Sequence, residues 1–288
     1  IVVGAVLALA GFGAGMYFAK QDQPPPAATA GSAGPSYAGG FKAEGAAAEA
    51  VKAGVASGNI KAVAGAAGEA VIVVKDGESI QAAVKRAAPG TTIQILPGTY
   101  HETVYIDKDN VRLIGVIDQG RRAVLDGEGK LNDAILYSGN NVVVENLTIT
   151  KYKGNGIMGQ AGNNFEIRNN LIVDTGVYGI FPQLGQNGVV EHNVVSGIED
   201  AAIYVGMSDN VHVAHNDVFD SVAGIEIENS RHAIVENNYV HNNTGGILAF
   251  VTPGLPIKTT SDVIIRHNFI VGNNHDNFGA PGSTVAGI

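Results

Sequence analysis

The 288-residue chain contains no cysteine and no tryptophan, and only 16% of its residues are charged. Without cysteine there is no disulfide, no thiolate metal site and no cysteine nucleophile. The net charge is −9 and no stretch is rich in lysine or arginine, which excludes an electrostatic nucleic-acid interface. What is present is 45% hydrophobic residues together with 39 glycines. This combination is typical of short strands joined by frequent turns.

The N-terminal stretch is the longest uncharged apolar run and ends at Lys20. At about 1.5 Å per residue, a helix of this length nearly spans a bilayer core of about 30 Å. We therefore predict a single transmembrane anchor over residues 1–20, in preference to a signal peptide cleaved after Ala8–Ala10. Within the anchor, Gly11 and Gly15 are spaced for close packing against a partner helix.

Composition divides the rest of the chain into three segments. Residues 21–40 are rich in proline, glycine and alanine, which predicts an extended linker. Residues 41–70 are rich in alanine, and we predict a helical segment weakened by glycine. The globular domain is predicted over residues 71–288. It opens with a strand at Val71–Val74, a helix capped by Ser79 that runs to about Ala88, and strands at Thr92–Leu96 and Thr103–Ile106.

From residue 141 onward the sequence repeats at intervals of 22–24 residues, with one interval of 30. One asparagine recurs in every repeat: Asn146, Asn170, Asn193, Asn216, Asn238 and Asn268. A second series, in phase with the first, places isoleucine after a small residue: Gly156-Ile157, Gly179-Ile180, Ala202-Ile203, Gly224-Ile225 and Gly246-Ile247. No helix of useful length fits between such short strands. The repeat therefore predicts an all-β solenoid of parallel strands stacked coil on coil.

The recurring asparagine is predicted to form a structural ladder at a turn, where each amide binds backbone groups and the asparagines above and below. His192 and His215 precede ladder asparagines on consecutive coils, so their rings are expected to stack within about 5 Å. His267 takes the same place two coils later, and His241 is assigned to a turn. The interval of 30 residues contains Thr252–Asp262, which is predicted to be a loop leaving one coil.

The Asn series, the Gly-Ile strand starts and the segment SIQAAVKRAAPGTTIQILPGTY resemble right-handed parallel β-helix proteins of the pectin-lyase-like superfold. The resemblance covers residues 71–288 and implies that the helix around Ile80–Ala88 caps the N-terminal end of the solenoid. The shared residues belong to the scaffold, so the resemblance implies a fold more than an activity. It also implies a domain that lies outside the cytoplasm, in the periplasm or an equivalent compartment.

In enzymes of this superfold the substrate groove lies on the sheet that the Gly-Ile strands form here. The outward positions of that sheet are Met158 and Gln160, Phe181 and Gln183, Tyr204 and Gly206, Glu226 and Glu228, and Leu248 and Phe250. Glu226 and Glu228 are two residues apart on one strand and so point to the same side. With Asp200, which precedes the neighbouring strand, they form either the acid and base of a carbohydrate-active enzyme, a Ca²⁺ site, or a stripe that faces water or a partner. Tyr204, Phe181 and Arg231 are the candidate ligand-binding residues beside them.

Catalytic motifs that the resemblance leads one to expect are missing. No Arg or Lys that would serve a lyase as base lies on this face, and the Asp-Asp, Gly-His-Gly and Asp-Pro-His-Asp strings of related hydrolases and epimerases do not occur. Leu248 and Phe250 form an apolar patch suited to packing on a partner.

We therefore predict a non-catalytic, membrane-anchored scaffold or accessory subunit that docks on a larger membrane protein complex. This prediction includes no cofactor and no metal. The alternatives are a carbohydrate-active enzyme, whether polysaccharide lyase, epimerase or hydrolase, and a glycan-binding module.

Overall fold

The computed structural model describes residues 70–278 and 280–282. The predicted anchor and linker, with Gly11 and Gly15, lie outside the described residues, as does all but the last residue of the predicted Ala-rich segment. Among the residues that are described, no helix is long and apolar enough to cross a membrane.

The described residues form one helix and 24 strands. In chain order these elements are β1 (Val71–Val74), α1 (Ile80–Arg86), β2 (Thr92–Ile95), β3 (Gly98–Tyr100), β4 (Val104–Ile106), β5 (Arg112–Gly115), β6 (Ala123–Asp126), β7 (Ile135–Tyr137), β8 (Val143–Glu145), β9 (Leu147–Thr150), β10 (Ile157–Gln160), β11 (Glu166–Arg168), β12 (Leu171–Val173), β13 (Ile180–Gln183), β14 (Val189–Glu191), β15 (Val194–Ser196), β16 (Ala201–Gly206), β17 (His212–Ala214), β18 (Asp217–Phe219), β19 (Ala223–Glu228), β20 (Ile234–Glu236), β21 (Tyr239–His241), β22 (Gly245–Phe250), β23 (Ile264–Arg266) and β24 (Phe269–Val271).

The strands pair in parallel into three sheets. Sheet A has nine strands in the order β1-β2-β5-β8-β11-β14-β17-β20-β23. Sheet B has eight, β3-β6-β9-β12-β15-β18-β21-β24, and sheet C has seven, β4-β7-β10-β13-β16-β19-β22. Each coil passes once through sheets A, B and C, and each strand pairs with the equivalent strand of the next coil. The predicted all-β, right-handed parallel β-helix is therefore confirmed.

The interior of the solenoid is a set of stacked aliphatic side chains. In sheet C the isoleucine of each Gly-Ile or Ala-Ile pair faces inward, directly above the isoleucine of the preceding coil. Ile157, Ile180, Ile203 and Ile225 are fully buried as a result. Because side chains alternate across a strand, the residue after each isoleucine must face outward. This alternation fixes the row of outward residues on sheet C.

Helix α1 covers the N-terminal end of the solenoid, as the family resemblance implied. It buries Ile80, Ala83 and Val84, and its N-cap Ser79 accepts a hydrogen bond from the backbone N–H of Ala82. The helix ends at Arg86, two residues earlier than expected, because the residues before Pro89 are restricted to extended conformations.

The asparagine ladder is confirmed from Asn170 onward. From Asn170 to Asn238, each amide nitrogen donates to the Oδ1 of the asparagine one coil later, at 2.9–3.1 Å, and to a backbone carbonyl of the sheet A strand one coil earlier. Each Oδ1 also accepts from the backbone N–H of the residue at its position one coil earlier. The rungs are Asn170, Asn193, Asn216, Asn238 and Asn268. They satisfy backbone groups that a buried turn would otherwise leave unpaired.

Asn146 is not a rung of this ladder, contrary to our prediction. Its position in the coil matches Asn169, whereas Leu147 matches Asn170 and donates its backbone N–H to the Oδ1 of Asn170 at 3.1 Å. Asn146 has a φ of 63°, like Asn169 with 56° and His192 with 56°. This turn position needs left-handed backbone geometry, which asparagine and histidine adopt more readily than most residues. The ladder therefore begins one coil later than predicted.

The histidine predictions are confirmed in part. His192 and His215 stack with ring centroids 5.0 Å apart and an interplanar angle of 5°. His241 is not a turn residue, however, because it ends β21 and is only 6% exposed. Its Nε2 lies 3.0 Å from Asp217 Oδ1, and its ring stacks on Tyr239 and Phe219. Strand periodicity places it on sheet B.

Candidate functional site

The outer face of sheet C brings the predicted site residues together. Tyr204 on β16 is paired with Glu226 on β19, and Glu226 is paired with Leu248 on β22. One step along the strands, Glu228 is paired with Gly206 on one side and Phe250 on the other. Parallel neighbours are about 4.8 Å apart, so these side chains form one continuous surface.

Three aromatic rings form one wall of this surface. Phe181 and Tyr204 stack with centroids 4.5 Å apart, and Tyr178 packs against them at 4.8 Å and 4.7 Å. Phe181 is 8% exposed and Tyr204 6%. Ala201 and Ala223, which pack with the rings, are small enough to leave them room. The wall is thus a preformed apolar surface beside the carboxyl groups.

Gly206 makes the arrangement of the wall possible. A Cβ at this position would lie 3.0 Å from a ring atom of Phe181 and 3.1 Å from a ring atom of Tyr204. Because the space is free, the ring of Tyr204 lies over Gly206 and its hydroxyl donates a hydrogen bond to Glu228. A larger residue at position 206 would push that hydroxyl away from the carboxylate.

Glu228 is buried, which corrects the expectation that both glutamates face water or a partner. The residue is 3% exposed, and its carboxyl group accepts hydrogen bonds from the hydroxyls of Tyr204 and Thr252, one to each oxygen. The pKa of Glu228 is raised by burial, and the bond from Thr252 opposes that rise. Both donors are neutral, so no cation compensates this buried acid.

Glu226 and Asp200 are the more open acids of the site. Burial, with a further contribution from the charge of Asp200, raises the pKa of Glu226 to about 8. The pKa of Asp200 is raised by burial to about 6, with a hydrogen bond from Tyr178 acting against the rise and the charge of Glu228 acting with it. Groups held in a low-dielectric site without a counter-charge favour their neutral form. The two carboxyl groups therefore change protonation state at different pH values.

The predicted loop Thr252–Asp262 is confirmed, and it closes one end of the site. Asn229, which is fully buried, anchors it: its amide nitrogen donates to the carbonyl of Thr252 at 3.0 Å and of Ile257 at 2.5 Å. In return, the backbone N–H of Thr252 donates to Asn229 Oδ1 at 2.7 Å. The loop thus holds the Thr252 hydroxyl against Glu228.

Arg231 is not brought to this face. It lies in the turn after β19, where its guanidinium pairs with Asp209 at 2.8 Å, and Asp209 also binds His232 Nδ1 at 2.6 Å. Leu248 and Phe250 do lie beside the acids, both partly buried on the last strand of the sheet. Their predicted contact with a partner stays a prediction.

Sequence reasoning missed Tyr178 and Thr252. Tyr178 directly precedes the recurring pair Gly179-Ile180, and the equivalent residues of the next two coils are Ala201 and Ala223. At this position of three successive coils, one aromatic residue is followed by two alanines. That pattern was the signal in the sequence that the aromatic ring could extend over the next coils. For Thr252 there was no such signal, because its loop interrupts the repeat.

The alternative of a Ca²⁺ ion, which Glu226, Glu228 and Asp200 suggested, finds no support in the geometry of these residues. Each oxygen of Glu228 accepts a hydrogen bond from a hydroxyl group. Within the described part of the chain, no group of three His, Asp or Glu side chains is arranged to hold a metal ion.

Comparison with known proteins bears on the fold. A family model described as a right-handed beta helix region matches residues 129–218. No curated protein matches the sequence.

Several solved structures are similar to this chain. A family 28 exopolygalacturonase of Yersinia enterocolitica has a TM-score of 0.58 and 14% identity over 69% of this chain and 53% of its own. The pectate lyase Pel9A has a TM-score of 0.55 and 12% identity over 72% of this chain and 67% of its own. XylC, in complex with xylose, has a TM-score of 0.51 and 11% identity over 70% and 66%. This chain thus spans about half of the exopolygalacturonase.

At these identities the likeness concerns the fold alone. It agrees with the parallel three-sheet topology of the chain. The chain has the right-handed parallel β-helix fold of the pectin-lyase-like proteins.

Proposed function

We propose that this chain is a carbohydrate-active enzyme that hydrolyses glycosidic bonds on the outer face of sheet C. One arrangement carries the proposal: Glu226 on the outer face of sheet C and Asp200, directly before the neighbouring strand β16, are close enough to interact, and the strands of this sheet carry no cation. In this setting the pKa is about 6 for Asp200 and about 8 for Glu226. Between these values Asp200 is ionised and Glu226 is protonated. A neutral acid beside a carboxylate is the pair that glycoside hydrolysis requires.

Each group has a defined role in this reaction. Glu226 donates its proton to the glycosidic oxygen as the bond from that oxygen to the sugar carbon breaks. Asp200 accepts a proton from the water molecule that attacks the same carbon, which leaves Asp200 protonated and Glu226 ionised. Proton exchange with solvent then restores both groups before the next turnover. Tyr204 and Thr252 hold Glu228 in place beside Glu226 through hydrogen bonds to its two oxygens.

Hydrolysis fits the residues better than elimination or epimerisation. Those reactions remove a proton next to the carboxylate of a uronic acid, and a cation must stabilise the charge that results. Of the seven strands of sheet C, none contains Lys or Arg. The proposed chemistry uses only a neutral acid and a carboxylate.

The structural comparisons favour this proposal over the scaffold that we first predicted. Proteins with the same fold include an exopolygalacturonase, a pectate lyase and a protein that binds xylose. The scaffold interpretation rested on the membrane anchor with its Gly11 and Gly15 pair, which lie outside the described residues, and on the missing catalytic motifs of related enzymes.

A non-catalytic glycan-binding module is the second candidate. The wall of Tyr178, Phe181 and Tyr204 would serve it as a stacking surface for sugar rings. In that case the protein would bind an oligosaccharide and leave it intact.

The test is release of reducing ends from a panel of polysaccharides by the full chain. We expect cleavage of at least one polymer between about pH 6 and 8. Glu226→Gln should reduce the rate by about 100-fold or more, the usual effect of losing a general acid. Glu191→Gln, the same chemical change on the outer face of sheet A, should not. Equal rates for the two variants would contradict the assignment, and binding without cleavage would favour the glycan-binding module.

A further inference from the structure

We infer that the substrate of this site is a neutral glycan and not a polymer of uronic acids. The inference rests on the proposed function and narrows its substrate class. It is drawn from the charges and surfaces along the whole of sheet C.

The outer face of sheet C offers no cationic partner for a negatively charged sugar. Its seven strands, from β4 to β22, contain neither lysine nor arginine. The strands of sheet B lack both residues as well, whereas Arg112, Arg168 and Arg266 lie on strands of sheet A. Cations are thus confined to one of the three sheets, and the sheet with the candidate site is not that one.

Cations in the neighbouring turns do not make up for this. The guanidinium of Arg231 is paired with Asp209, and Lys258 Nζ donates to the carbonyl of Leu255 at 2.5 Å. Lys153 precedes β10, two coils before Asp200, which places it about 10 Å away along the solenoid axis. A uronate bound beside Asp200 would face carboxyl groups with no positive charge opposite it.

The groups that are present suit an uncharged sugar. Phe181 and Tyr204, whose rings stack on each other and are almost fully buried, give the site an uncharged aromatic wall, and the partly exposed Tyr178 borders it. Gln160 and Gln183 are aligned on neighbouring strands of the same face, where their amides are able to bind sugar hydroxyls. Apolar contact and neutral hydrogen bonds do not require charge on the ligand.

Charge repulsion sets the size of the expected preference for a neutral sugar over a uronate. A uronate within about 6 Å of an ionised Asp200 is disfavoured by roughly 100-fold in a site of intermediate dielectric constant. Removing the charge from the same polymer should remove this penalty and leave its shape almost unchanged. Matched polymers therefore isolate the effect.

The experiment compares polygalacturonate with its carboxyl-reduced, uncharged form, and adds xylan, inulin and β-glucan as neutral polymers and alginate as a second uronate. Release of reducing ends is measured with the full chain, with Glu226→Gln and with Glu191→Gln, after circular dichroism has shown that each variant is folded. Binding to immobilised polymers is measured with Glu226→Gln.

We expect cleavage and binding of neutral polymers only, and a difference of at least about 100-fold between the reduced and the charged galacturonan if that backbone is accepted. Cleavage of polygalacturonate or alginate that depends on Glu226 would overturn the neutral-glycan inference and leave the proposed function standing. If no polymer of either class is cleaved or bound, the proposed function and the inference both fail.

Discussion

On sheet A, Glu236 lies between His212 and Arg266, with its oxygens 2.9 Å from the imidazole and 2.7 Å from the guanidinium. The hydrogen bond from Arg266 lowers the pKa of Glu236. On sheet C, Glu226 has Tyr204 and Leu248 as strand neighbours, and its pKa is raised to about 8. Both acids are outward residues of short strands, in different sheets. What separates them is burial, which raises the pKa of Glu226, and a neighbouring cation, which lowers the pKa of Glu236.

This contrast separates structural acids from candidate catalytic acids. A carboxylate next to a cation stays ionised at any physiological pH and contributes little beyond a surface ion pair. A buried carboxyl group without a cation stays protonated until neutral pH, which costs stability and is retained where the proton is used. Glu226 on sheet C is of the second kind.

The largest effect is expected from giving sheet C a cation. Leu248→Arg would place a guanidinium on the strand next to Glu226 and return the pKa of that glutamate toward its ordinary value. Glu226 would then be ionised at neutral pH, and hydrolysis should fall by about 100-fold. Leu248→Gln is the uncharged control. An active Leu248→Arg enzyme with an unchanged pH profile would contradict the role of the missing cation.

A change in the scaffold shared by the two faces should affect stability alone. Asn216→Ala removes a rung of the ladder and leaves the N–H of Asn193 and the carbonyl of Val190 unpaired. We expect a loss of about 2–4 kcal/mol in the free energy of unfolding. Asn146→Ala should cost less than about 1 kcal/mol because that side chain is outside the ladder. Urea unfolding of both variants checks this, and equal losses would mean that Asn146 has been placed wrongly.

The stability of the protein should also depend on pH through sheet C. In the folded state Glu226 retains its proton up to about pH 8, whereas its ordinary pKa is 4.5. The folded state therefore binds more protons than the unfolded state between these values, and the free energy of unfolding should fall as pH rises through this range. Glu226→Gln should reduce the slope, as measured by chemical denaturation at several pH values. An equal slope in both proteins would count against the raised pKa.

The smallest effect is expected from removing a cation from sheet A. In Arg266→Leu, the pKa of Glu236 should move back up toward its ordinary value, because the bond that lowers it is lost. The pair is on the surface, so the melting temperature should hardly change. The rate of hydrolysis should not change at all. A clear loss of activity would show that the two faces are coupled.

Much of the solenoid could be predicted from the sequence, because its repeat is short and strict. The recurring Gly-Ile pairs set the register of sheet C, and alternation along a strand then placed Phe181, Tyr204, Glu226 and Leu248 on one outer face. The prediction of the asparagine ladder was wrong at its first rung, where a shift of one residue decides which side chain occupies the ladder position. The interval of 24 residues from Asn146 to Asn170, one longer than the next, marked the point at which the ladder begins.

The burial and the hydrogen-bond partners of the acids could not be predicted from the periodicity of the sequence. Glu228 is buried because the hydroxyl of Tyr204 crosses over Gly206 and because Thr252 comes from a loop outside the repeat. The contact of Tyr178 with Asp200 joins two turns of different coils. Such contacts depend on the direction of side chains, and the repeat fixes only the direction of strands.

The most direct test is a pH titration of the glutamate carboxyl groups, monitored by ¹³C NMR on protein labelled at glutamate Cδ. We expect one glutamate resonance whose titration has its midpoint near pH 8. This resonance should be missing in Glu226→Gln and still present in Glu236→Gln. If every glutamate in the folded protein titrates below about pH 5, the ordinary range for this side chain, the acids of sheet C are no different from those of sheet A. The proposed catalytic pair would then be contradicted.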